Sequence, residues 1–94
     1  MIDPKYEKTL TRAFHDLHGC EASHLGTVPV LESGRGRTLW EGNVEVFALY
    51  GHLTAKRGFA WAYHRGQGKV VALLELPPVT SPKTAVQAFL TGKR

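Results

Sequence analysis

The sequence predicts an α+β fold: a four-stranded antiparallel sheet with a helix at each end, α-β-β-β-β-α, both helices packed on one face. Three observations carry this prediction. A helical apolar stripe with caps at both ends opens the chain. Short stretches of alternating apolar and polar residues follow. A second capped helical stretch comes after two consecutive prolines. Sequential antiparallel strands flanked by helices imply two layers around one core.

The first helix begins at Asp3, a good N-cap, with Pro4 at the first helical position. Tyr6, Leu10, Ala13, Phe14 and Leu17 share one stripe, and Gly19 suits the residue just past the end. A short strand-like run follows around Thr27–Leu31; Pro29 cannot donate to a ladder, which puts this strand at an edge or makes it irregular. "SGRGR" reads as a loop. The next strand, "RTLWEGNVEVFALYG", sets Val44, Val46, Ala48 and Tyr50 against Glu45, Phe47 and Leu49, with Gly42 as a candidate bulge. "GHLTA" turns the chain into "KRGFAWAY", the third strand. "HRGQGK" is a tight hairpin loop before the fourth, "VVALLEL". "PPVTSP" ends the sheet, Ser81 and Pro82 open the last helix, Val86, Phe89 and Leu90 give its apolar face, and Gly92 stops it.

Composition bounds the class. Ninety-four residues suit a single domain spanning 1–94, and 43% hydrophobic with 21% charged residues is an ordinary globular balance. No apolar run approaches the roughly 20 residues of a membrane span, and the first ten residues lack the apolar core of a signal peptide. One cysteine, Cys20, excludes an internal disulfide and points to the reducing cytoplasm. Twelve Lys+Arg against eight Asp+Glu give a net charge of +4, compatible with a polyanionic partner without requiring one.

"KRGFAWAY" nearly spells the RNA-reading octamer of the RRM domain. The context is wrong: an RRM starts with a strand and follows the octamer with a helix, whereas this chain starts with a helix and follows it with a strand. Phe59, Trp61 and Tyr63 nonetheless share one side of their strand, where they either stack bases or fill the core. A two-residue Gly66-Gln67 turn would pair Tyr63 with Val70, Trp61 with Ala72 and Phe59 with Leu74, which puts the aromatics in the core. A three-residue loop would reverse that assignment. With the aromatics inside, Gly58, Ala60 and Ala62 line an open sheet face flanked by Phe47, Leu49, Val71 and Leu73. Those four form a candidate partner-binding face for another protein or a second copy of the chain. Arg35, Arg37, Lys56, Arg57, Arg65 and Lys69 are candidate nucleic-acid contacts around the sheet.

Catalytic signals are weak. The spacing of His15, His18, Cys20 and His24 matches no closed zinc site, His52 has no visible partner, and no Gly-rich phosphate loop or nucleophile elbow is present. No cofactor, metal ligand set or catalytic residue is therefore assigned, and the expected role is a small non-enzymatic binding module, with weak RNA binding as the alternative.

The pieces "VPVLES", "LWEGNVEVFALYGHLTAKRGFAWAY" and "VALLELPPVTSPKTAVQAFL" together resemble a family of short bacterial proteins with no assigned activity. The resemblance runs from about the first helix to the second. It implies an α-β(4)-α fold in a bacterial cytoplasmic protein and carries over no functional residues.

Overall fold

A computed structural model of the chain describes residues 2–63 and 69–91. The element order is α1 (Pro4–His18), β1 (Glu21–Gly34), β2 (Arg37–Tyr50), β3 (Arg57–Tyr63), β4 (Lys69–Leu74) and α2 (Pro82–Thr91). The strands form one antiparallel sheet in the order β1-β2-β3-β4. The fold is α+β, and no described helix is long and apolar enough to cross a membrane.

The caps act as their residue types dictate. Asp3 Oδ1 accepts from the Lys5 amide at 3.0 Å, and Gly19 closes α1 with φ 66°. Ser81 Oγ accepts from the Thr84 amide at 3.2 Å where α2 begins. Gly92 and the loop at 64–68 lie outside the described residues. Leu17, expected on the buried stripe, is 62% exposed; in the last turn of α1 it is His18, through its bond to the Ala72 carbonyl, that meets the sheet.

β1 is far longer than the run around Thr27–Leu31. Arg35 (φ 54°) and Gly36 (φ 78°) form a two-residue turn with both residues left-handed, the twist-matched hairpin geometry. That turn zips fourteen residues of β1 against β2, so weakly apolar segments such as "EASH" are recruited by pairing rather than by their own propensity. The irregularities fall at Leu25 and Leu39, where the register shifts, and not at Gly42, which pairs with Val30. β1 is an edge strand, as Pro29 requires. The amide of Leu49 donates to the Lys56 carbonyl, so Leu49, Phe47, Glu45 and Asn43 aim their backbone at β3. The Pro29–Asn43 pair then exchanges no bond, and the missing N–H of Pro29 faces outward.

The β3–β4 register differs by one residue from the expected pairing. Tyr63 pairs with Lys69, Trp61 with Val71 and Phe59 with Leu73. An odd number of residues between Tyr63 and Lys69 moves the whole opposing row to the other face. Phe59 and Trp61 are buried as expected, but beside Val71 and Leu73.

The helices cover opposite faces, in three layers rather than two. Leu10 and Phe14 of α1 pack on Phe47, Leu49, Ala60 and Ala72. Ala85 and Val86 of α2 pack on Val44, Val46, Phe59 and Trp61. Adjacent residues such as Val46 and Phe47 are both buried, and a strand can bury both only if each face is covered. Each sheet face carries an apolar row, and each helix supplies one cover. Gly58 shows how tightly α1 docks: a Cβ there would lie 2.5 Å from Phe14 Cε1. The small-residue lane expected to be open is the seat of the Phe14 ring. On the other face Glu32 receives Lys83 Nζ at 3.2 Å and Gln87 Nε2 at 3.1 Å, tying α2 to β1.

Candidate binding cleft

The candidate partner face does not exist as one surface. Phe47 and Leu49 are buried under α1, while Val71 and Leu73 lie across the sheet, half-buried against the α2 cluster. The one-residue register difference separates the two pairs.

The basic residues also occupy separate places. Arg35 and Arg37 sit at the tip of the β1–β2 hairpin, while Arg57 lies opposite Ala48. Eleven residue steps along β2 separate these points, roughly 35 Å at about 3.3 Å per step. Lys56 precedes β3 at the same end as Arg57, Lys69 begins β4 at the other, and Arg65 lies outside the described residues. Arg57 is engaged by Glu75, with Nε at 3.0 Å from Oε1 and Nη2 at 2.6 Å from Oε2. This two-bond contact holds the Glu75 carboxyl below its ordinary range, with Arg57's hydrogen bonds as the main cause. A lowered carboxyl pKa means the contribution is complete above the ordinary carboxylate range and fades as pH falls through the lowered value. Arg57 is half exposed, so the pair contributes about 0–1 kcal/mol. Glu75→Gln is expected to lower urea stability by that amount at pH 7 and to match the parent chain near pH 2. A constant difference at both pH values would assign the effect to packing.

The histidines and Cys20 have separate tasks. His15 Nδ1 is 3.3 Å from Asp16 on the surface, His18 Nε2–H donates to the Ala72 carbonyl at 2.8 Å, and His52 Nδ1 accepts from the amides of Thr54 and Ala55. Burial pushes the Cys20 thiol up, with Glu21 adding to the shift. No three metal-ligating side chains converge among the described residues.

One cluster remains, built around a residue the sequence pattern did not single out. Glu45 stands on the α1 face of β2 among Phe47, Leu49 and Ala60, with a side chain only 6% exposed. Its Oε1 accepts from His24 Nε2–H at 2.7 Å and from Thr27 Oγ–H at 2.5 Å, both on β1. Antiparallel register explains the meeting: Thr27 pairs with Glu45 and His24 with Phe47. His24 also sets its ring edge-on to Phe47, 5.3 Å between centroids. Glu45 Oε2 has no hydrogen-bond partner among the described residues, and it is not sealed off from solvent.

Beside Glu45 the sheet divides. β2–β3 pairing stops at Glu45–Ala60, although β3 continues to Tyr63. Asn43–Ala62 would be the next bonded pair, but the Ala62 amide donates to the Tyr6 hydroxyl at 2.9 Å. Tyr6, on α1, thus takes the donor that β2 would have received and leaves the Asn43 backbone facing a cleft of about 360 Å³. Tyr6, Trp40, Glu41, Gly42, Asn43, Glu45 and Ala62 line it. Trp40 belongs to the opposite sheet face and reaches the cleft through the gap. Its ring lies on Gly42, where a Cβ would be 3.1 Å from Cη2, and against Trp61 at 5.5 Å. Burial raises the Tyr6 hydroxyl above its ordinary value; the Ala62 hydrogen bond opposes this and the Glu45 charge reinforces it. Tyr6 therefore stays protonated at neutral pH, with its own O–H still to donate.

One signal for this site was in the sequence. Glu45 interrupts an apolar row that also holds Phe47 and Leu49, and a carboxylate on a covered face requires donors. Nothing local identified His24, Thr27 and Tyr6 as those neighbours, because two come from β1 across the sheet and one from a helix 39 positions earlier.

No family model matches the chain, and no curated protein or solved structure matches it.

Proposed function

We propose that the chain is a small binding module whose ligand site is the cleft where β2 and β3 part. A single observation supports this reading: Glu45 keeps an almost fully buried carboxylate beside the cleft, with two donors on one oxygen and none on the other. Burying a carboxylate is costly, and an apolar residue would fill the same place at less cost, so the half-compensated charge implies a use. The cleft volume falls within the roughly 300–1,000 Å³ typical of small-molecule sites, and its lining mixes two aromatic rings with convergent polar groups.

The test is a titration of ¹⁵N-labelled protein with small cationic, anionic and neutral organic fragments at millimolar concentration. Amide shifts are expected to concentrate at Tyr6, Asn43, Glu45 and Ala62 and to saturate. Shifts confined to other surfaces, or silence at these four amides with every fragment, would end the reading.

A further inference from the structure

We infer that the cleft selects an alkylammonium cation, a protonated primary amine on an aliphatic stem; the inference rests on the cleft being a ligand site. The first ground is the unpartnered Glu45 Oε2 on a side chain more than nine-tenths buried. A charge so placed interacts more strongly than one in water, and a cation is what its free oxygen lacks.

The rest of the lining favours the same sign. Glu41 adds a second, exposed carboxylate, and no described lining residue is a cation. An anionic ligand would meet two like charges, in a chain whose overall charge is +4. An ammonium group carries three donors and no acceptor. Glu45 Oε2 and the Asn43 backbone carbonyl, released from the ladder by Tyr6, supply two acceptors. The Tyr6 oxygen, already accepting from Ala62, has a second lone pair. Trp40, half-buried among the lining residues, adds aromatic surface beside which the stem can lie. His24 and Thr27 hold Oε1 from the far side and fix the carboxylate. Charge, donor count and apolar wall thus converge on one chemical class.

The experiment compares n-pentylammonium with n-pentanol and pentanoate, three probes sharing one stem, by NMR titration at pH 7. Pentylammonium is expected to shift Tyr6, Asn43 and Ala62 saturably, and pentanoate to leave them unmoved. Glu45→Gln keeps an amide oxygen for His24 and Thr27 but removes the charge, and should weaken pentylammonium by about tenfold or more. Glu41→Gln, on the exposed rim and away from the packing, should weaken it about two- to threefold. This second variant decides the matter even if Glu45→Gln folds poorly. Pentanol binding as tightly as pentylammonium, or undiminished affinity in both variants, overturns the cation inference while the cleft remains a ligand site. Silence of the cleft amides with all three probes overturns the inference and the site together.

Discussion

Phe47→Ala is expected to lower the unfolding free energy by about 3–5 kcal/mol. The ring is fully buried and packs against Phe14 at 5.4 Å and His24 at 5.3 Å between centroids, so truncation leaves a cavity walled by α1 and the sheet. The ring of Phe14 cannot follow it inward, because Phe14 already rests on the backbone of Gly58. Small domains hold roughly 5–15 kcal/mol in all, so the variant should be marginal at room temperature. Urea unfolding followed by circular dichroism measures the effect. A loss below about 1 kcal/mol, typical of an exposed position, would mean that α1 does not cover this face.

Gly58→Ala should cost about 1–3 kcal/mol, toward the upper end. The added methyl would meet Phe14 Cε1 at 2.5 Å, Phe14 Cζ at 2.7 Å and the Leu73 carbonyl oxygen at 3.1 Å. The ring is carried by α1 and the Leu73 oxygen by a paired strand, so the ring contacts are relieved only if Phe14 and α1 shift, and the oxygen contact only if β4 gives by a few tenths of an ångström. Replacing a strand glycine normally stabilises by about 0.4–1 kcal/mol through the unfolded chain, which makes the expected sign diagnostic. Phe14→Leu in the Gly58→Ala background should cost less than the sum of the two single changes, because both act on one contact. Strict additivity would show that the ring does not press on residue 58.

How far the sequence revealed the molecule depends on the range of each signal. Asp3, Pro4, Gly19, Ser81 and Pro82 act within a turn of their own backbone, so both helix starts and the end of α1 were legible. Element order and antiparallel pairing followed from alternation and short loops. The layering did not, and the makeup of each face hinged on parity in the β3–β4 loop: one residue more or less decides whether Trp61 shares a face with Ala72 or with Val71. The alternation of β2 was read correctly, yet it does not say that both of its rows are covered. The cleft is harder still. It exists because a tyrosine hydroxyl, placed among apolar stripe residues by its spacing, outcompetes a backbone carbonyl for the Ala62 amide. Periodicity treats Tyr6 as a ring and has no way to register its oxygen.

Pro29 has a consequence for what the molecule avoids. β1 presents fourteen residues of open edge, with Leu25, Val28 and Leu31 exposed along it. Such an edge invites another chain to add itself, and then another, toward a fibril. The outward-facing proline removes a donor in the middle of that edge, and the irregularity at Leu25 bends the strand a few residues away. A residue with an N–H at position 29 would restore a donor to the middle of that edge, and is expected to make strand addition at β1 easier.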